Sequence, residues 1–179
     1  MDSTGSTLPR ITADTALYAE VLDWIHTEAE LLDELREREW LETMISRDIT
    51  YAVPLRQTVE RARGRGFSED TFHLLETYGS LSSRVARNET QYAWAEDPPS
   101  RMRHFVTNVR VSATEDADVL QVKSNLLLHR ARQDQSVPQL LSGERVDRLR
   151  REDGRLMLLR RDVLLDLTVI RTHNLAIFF

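Results

Sequence analysis

Between Leu17 and Leu35 the apolar residues Leu17, Val21, Trp24, Ile25, Leu31, Leu32 and Leu35 recur at close to helical spacing, and Glu20, Asp23, Glu28, Glu30 and Glu34 take much of the remaining surface. One apolar stripe with a period near 3.6 predicts an amphipathic helix that buries its stripe against a sheet or another helix. Thr12, Asp14 and Thr15 are its candidate N-caps. Glu37–Ile45 adds a further turn or two bearing Trp40, Leu41 and Met44. In Asp48–Leu55 the period drops to two, with Ile49, Tyr51 and Val53 alternating with Thr50 and Ala52, and Pro54 places this strand at an edge or ends it. Gln57–Ser68 holds Arg61, Arg63 and Arg65 together with Gly64 and Gly66 and has little to bury, which predicts an exposed cationic loop. From Ser68 the spacing of Phe72, Leu75, Leu81 and Val85 predicts a helix capped by Ser68 or Asp70, bent or broken near Gly79.

Asn88–Arg103 reads as an extended polar connection, and the remainder as strands: His104–Ala113, Val119–Gln133, Gln139–Arg150 and Leu156–Leu167. The links between them are short, and the Asp153-Gly154 step is a strong hairpin signal. Successive hairpins predict an antiparallel sheet rather than βαβ units. Asn125, Arg130, Glu144, Arg145, Asp147, Arg148, Arg160, Arg161 and Asp162 place too much charge on these strands for both faces to be private core. The expectation is an α+β fold, helices first and then a strongly bent sheet, with cross-strand arginine–carboxylate pairs.

The length, 179 residues, suits one domain over residues 13–179 behind a flexible N-terminal arm, residues 1–12. With 24 Lys+Arg against 29 Asp+Glu the net charge is -5, which disfavours general attraction to nucleic acid or anionic membrane. Lys123 is the single lysine, so almost every cation is an arginine fork suited to bidentate carboxylate pairs. No run approaches the roughly 20 apolar residues of a membrane span, and the opening residues lack the apolar core of a signal peptide, so a cytoplasmic protein is expected. The absence of cysteine removes disulfides, a cysteine nucleophile, thiolate-held zinc and any iron–sulfur cluster owned by this chain.

Catalytic motifs are missing as well. His26, His73, His104, His129 and His173 form no zinc spacing, and there is no GxSxG elbow, GxGxxG or phosphate loop. Tyr51, His104, His129 and Asp166 are the candidates for a proton-moving pocket inside a curved sheet, as in a free-standing cavity enzyme of dehydratase or isomerase type. The stretch Ala93–Arg103, AWAEDPPSRMR, combines the anchor Trp94 and the stiff Pro98-Pro99 with Glu96, Asp97, Arg101 and Arg103. It reads equally as a surface crossover or as a partner-binding edge. Asn174–Phe179, NLAIFF, reads as a last strand locked in the core or as an insert into another subunit.

Several segments in order, EAELLDELREREWLE, ITYAVPLRQT, AWAEDPPSRMRHFVTNVRV, VKSNLLLHRAR, GERVDRLRREDG and NLAIFF, resemble the β (small) subunits of Rieske non-haem iron aromatic-ring-hydroxylating dioxygenases. The resemblance runs from about Glu28 to Phe179, with the biphenyl/toluene/benzene-type branch as the nearer one. It implies a cystatin-like/NTF2-like fold, with N-terminal helices packed on a strongly curved, mainly antiparallel sheet. It also implies a non-catalytic subunit with no cofactor or metal of its own, in an α3β3 hexamer with α subunits and other β subunits. The implied α subunit carries a Rieske [2Fe-2S] cluster and a mononuclear non-haem Fe(II), receives NADH-derived electrons through a ferredoxin and/or reductase, and converts an aromatic compound and O2 to a cis-dihydrodiol. Trp94, Asp97, Pro98, Pro99, Arg101 and His104 are the candidate subunit-interface residues on this reading.

Overall fold

The computed structural model describes residues 9–60, 62, 64–89, 99–132, 136–170 and 177–179. The elements run β1 (Arg10–Ile11), α1 (Ala16–Asp33), α2 (Glu37–Met44), β2 (Ile45–Arg56), β3 (Phe67–Glu76), α3 (Tyr78–Asn88), β4 (Arg101–Ala113), β5 (Val119–Ala131), β6 (Gln139–Glu152) and β7 (Arg155–Leu165). Thr15 caps α1 by accepting the Tyr18 N–H. At its other end the Arg36 N–H reaches the Leu31 carbonyl and the Leu35 N–H reaches that of Leu32, a Schellman closure. The left-handed position in it, with φ of 59°, belongs to Leu35 where glycine is usual.

The seven strands form one sheet in the order β1-β4-β5-β6-β7-β2-β3. The strongly curved, mainly antiparallel, cystatin-like/NTF2-like sheet expected from the sequence is corrected by this arrangement: the sheet is open and mixed. Strand β2 lies parallel to β7, with Thr50, Tyr51 and Ala52 beside Arg160, Arg161 and Asp162, and enters between β7 and the edge strand β3. Local hairpin signals speak only for strands adjacent in sequence; β2 follows α2 and finds a partner more than a hundred residues away, so no turn announces the pairing. The α+β class itself holds.

A second difference concerns residues 68–76, which the spacing of Phe72 and Leu75 assigns to a helix. They extend instead as β3, antiparallel to β2, with Val53 opposite Leu74 and Ala52 opposite Leu75. The helix begins later, where Thr77 and Ser80 form a reciprocal capping box, so Gly79 lies in the first turn of α3 rather than mid-helix. Pro54 lies beyond the last residue of β2 paired with β7, between two register shifts of the β2–β3 ladder, where its missing N–H costs least. Asp153 and Gly154, both with positive φ, make the two-residue β6–β7 turn that the sequence signals. Arg10 and Ile11, inside the arm read from the sequence, pair with Ser112 and Val111.

The helices lie on one face of the sheet. Val21, Trp24, Ile25, Leu31 and Leu32 of α1 and Trp40, Leu41 and Met44 of α2 are buried with Val122, Leu126, Leu128, Leu149, Leu158 and Val163 of the strands. The Trp24 indole donates to the Leu156 carbonyl, which fixes α1 to β7.

Candidate subunit interface and the buried ion network

Trp94, Asp97 and Pro98 lie outside the described residues, as do Arg61 and Arg63 of the cationic loop. Pro99 and Arg101 are exposed, and Pro99 helps line a cleft of about 230 Å³ with Leu35, Met102 and the α2 start. His104 points inward. Its main-chain N–H and ring Nδ1 meet the Asp33 carboxylate at 3.0 and 2.6 Å, and Nε2 meets the Phe178 main-chain oxygen at 3.0 Å. Both ring nitrogens thus face oxygen acceptors, and the side chain ties β4 to the end of α1 and to the tail.

Of the NLAIFF tail, Ile177, Phe178 and Phe179 are described, and all three are buried in this chain's own core. The Phe178 ring packs on Trp40 at 4.8 Å and lies under the Arg84 guanidinium, which also donates to the Ile177 main-chain oxygen. The locked-in reading of the tail fits these contacts.

The four residues proposed for a proton-moving pocket do not converge. The Tyr51 hydroxyl is held by the Phe179 main chain, accepting its N–H at 2.7 Å. His104 belongs to Asp33, His129 lies on the outer face of β5, and Asp166 is exposed with Ser142 and Arg56 as partners.

Within the apolar contact between α1 and the sheet lies a cluster of buried charge. Glu28 of α1, Arg145 and Asp147 of β6 and Arg161 of β7 are each at most 2% exposed. All five N–H donors of Arg161 are used: Nε and Nη2 grip Asp147 at 2.8 and 2.7 Å, Nη1 and Nη2 grip Glu28 at 2.9 and 2.8 Å, and Nη1 also reaches the Phe179 main-chain oxygen at 2.6 Å. Glu28 further accepts from the Trp40 indole and from Arg145 Nη1, both at 3.1 Å. Arg145 Nε reaches Ser124 at 3.4 Å, whereas Arg145 Nη2 has no partner among the described residues.

The electrostatics follow from this geometry. Burial pushes the Glu28 carboxyl upward, but attraction to Arg161 and Arg145, with hydrogen bonds from Arg161 and Trp40, holds it below the ordinary glutamate value. Burial also works against the Arg161 cation, and Asp147 and Glu28 more than compensate, so its pKa rises. Arg145 goes the other way, because burial and repulsion by Arg161 outweigh its share of Glu28 and Asp147. The Tyr51 hydroxyl is pushed up by burial despite Arg161 nearby. Two cations and two anions thus balance in a closed, water-poor site with every carboxylate committed to arginines. Such a cluster orients α1 on β6 and β7 and offers no group free to take a proton from a substrate.

The cross-strand arginine–carboxylate pairs expected from the sequence include one at the centre of this network, Arg161 opposite Asp147, but the expectation left out its burial and the part of Glu28. The signal was present: Glu28 falls on the buried stripe of α1, seven residues after Val21 and three before Leu31, and Arg145 and Asp147 share the inward phase of Leu141 and Leu149.

A family described as ring-hydroxylating beta subunit matches residues 27–172, most of the chain. The chain belongs to the ring-hydroxylating dioxygenase β-subunit family. Among solved structures, a chain of naphthalene 1,2-dioxygenase crystallised with indole in its active site is 30% identical, with a TM-score of 0.82 over 94% of this chain and 88% of that one. The β subunit of benzoate 1,2-dioxygenase from Burkholderia mallei ATCC 23344 shares the fold at 20% identity, with a TM-score of 0.67 over 83% of this chain and 89% of that one. ActVI-ORFA from Streptomyces coelicolor is a more distant match in fold, at 21% identity and a TM-score of 0.62 over 85% of this chain and 98% of that one. As a β subunit of a Rieske-type aromatic-ring-hydroxylating dioxygenase, the chain has a structural, non-catalytic place in a multicomponent complex. Its residues do not fit a Rieske centre, which takes two cysteines and two histidines, since the sequence has no cysteine. Among the described residues, no group of three or more His, Asp or Glu side chains is placed to hold a metal ion.

Proposed function

We propose that this β subunit is the scaffold of an α3β3 oxygenase whose α subunits carry the Rieske [2Fe-2S] cluster and the mononuclear non-haem Fe(II). In this reading the α subunits receive NADH-derived electrons through a ferredoxin and/or reductase and convert an aromatic compound and O2 to a cis-dihydrodiol. The β subunit holds neighbouring α subunits in register, and its own chemistry is confined to packing and hydrogen bonding. The observation that carries the proposal is the family match over residues 27–172. The interior agrees with it, because the buried Glu28, Asp147 and Arg161 are committed to one another in ion pairs.

Residues 13–179 act as one domain in this account, and Trp94, Asp97, Pro98, Pro99, Arg101 and His104 lie at or near a subunit contact, with exposed Pro99 and Arg101 on its surface and buried His104 bracing β4 behind it. No described helix is long and apolar enough to cross a membrane, and a cytoplasmic location suits an oxygenase fed by NADH. Co-expression with the cognate large subunit followed by native mass measurement tests the proposal. A particle of three large and three small subunits is expected; a small subunit that stays apart from the large one contradicts it.

A further inference from the structure

The face of the sheet opposite the helices carries two unlike regions side by side. Near the β4 start, Phe105 and Leu127 stand opposite each other on β4 and β5, and Leu140 stands on β6 opposite His129. Their exposures are 52%, 40% and 54%, high for large apolar side chains on regular strands. A groove of about 600 Å³ runs past Phe105 and Leu127 to Glu144. About 13 Å along the strands, at ~3.3 Å per residue, Arg110 of β4 and Lys123 of β5 are direct cross-strand partners, both exposed. Arg148 of β6, exposed on the same face, lies opposite Gln121.

Like charges directly opposite each other destabilise a strand pair. Among the described residues, no carboxylate lies within ion-pair distance of Arg110, Lys123 or Arg148. The carboxylates on this face are already engaged: Glu144 with Arg65, Asp162 with Arg160, Asp166 with Arg56, and Asp48 and Glu152 with Arg150. A chain of net charge -5 thus gathers three uncompensated cations beside an exposed apolar strip.

We propose that this outer face of β4, β5 and β6 is the docking surface for the large subunit, which presents carboxylates to Arg110, Lys123 and Arg148 and apolar side chains to Phe105, Leu127 and Leu140. The proposal rests on the β-subunit reading above and names the surface through which it operates. Charge excludes a second copy docked face to face, and a ring contact between copies, which joins unlike faces, is separated by the test below. A two-fold self-contact would set cations against cations with no free carboxylate to meet them. An apolar centre flanked by desolvated arginines is the composition that gives subunit contacts most of their energy.

The test uses the full chain co-expressed with the tagged cognate large subunit, measuring small subunit recovered per large subunit across a salt series. Three small-subunit forms are compared: wild type, Arg110→Glu/Lys123→Glu, and Leu127→Asp; Arg148→Glu on a separate strand serves if either variant fails to fold. The charge-reversed form is expected to fall at least ~10-fold in recovery and to lose most of the wild-type salt dependence. Leu127→Asp is expected to fall comparably with the salt dependence retained. Unchanged recovery and unchanged salt dependence in folded variants overturn the surface assignment while leaving the β-subunit reading intact. Loss of self-association in the isolated chain, with large-subunit recovery preserved, makes a second copy the occupant and also overturns it. Failure of the wild-type chain to bind the large subunit removes the β-subunit reading itself, and this inference with it.

Discussion

Arg160 and Arg161 are neighbours on β7, yet the sheet sends them to opposite worlds. Arg161 points toward the helices, is fully buried and satisfies every N–H it has. Arg160 points outward, keeps water around it and holds Asp162 two residues away. Across the outer face, Arg110, Lys123 and Arg148 lack even that partner among the described residues. The same residue chemistry is therefore structural on one face and available on the other. Burial decides which: a charge removed from water and left without its partner costs several kcal/mol, about 3–5, whereas an exposed one costs little to leave waiting for a partner.

The sharpest way to break the inner face is Arg161→Ala, which strands Asp147 in the core and leaves Glu28 with only Arg145 and the Trp40 indole. Its cost is expected at about 3–5 kcal/mol in urea unfolding, a large share of the roughly 5–15 kcal/mol available to a domain. Arg145→Met should cost less, about 1–3 kcal/mol, because Arg161 still holds Glu28 and the unsatisfied Arg145 Nη2 disappears. A loss equal to that of Arg161→Ala would show that the two arginines act as one unit.

The network also sets a pH dependence. Glu28 has a folded pKa below its unfolded value near 4.5, so its contribution is present above that pH and is lost as the pH falls through the depressed folded value. Urea midpoints measured downward from pH 5 should fall more steeply for wild type than for Glu28→Gln, once the lower starting stability of the variant is subtracted. Parallel curves would remove Glu28 from the account.

Smaller effects sharpen the contrast. Leu35→Gly relieves a left-handed leucine in the Schellman closure and should raise stability by about 1 kcal/mol. A decrease would mean that the Leu35 side chain contributes more in the cleft than its backbone costs. On the outer face, Arg148→Ala should change the isolated chain's stability by no more than about 0.5 kcal/mol, as read by thermal unfolding. A larger loss would make that cation structural after all.

The parts of the fold written in local periodicity were legible. The α1 stripe, the alternation around Tyr51, the four long strands and the Asp153-Gly154 turn each depend on residues within one element or across one tight link. Features that depend on distant partners were not. Strand β3 read as a helix because Phe72 and Leu75 are three apart, and only the ladder with β2 shows that extension satisfies its backbone better. The parallel seam of β2 and β7 joins the early and late parts of the chain and has no sequence signature of its own. The candidate surface divides the same way. Arg110 and Lys123 are visible as cations in the sequence, but their face-to-face placement follows from a register that includes the irregularity between Thr107 and Arg110.

This polypeptide arranges the machinery of ring hydroxylation without containing it. Product formation by the purified chain, supplied with O2, ferrous iron, NADH and the cognate electron-transfer proteins, tests that most directly. No cis-dihydrodiol is expected until the large subunit is added. Turnover by the small subunit alone would contradict it.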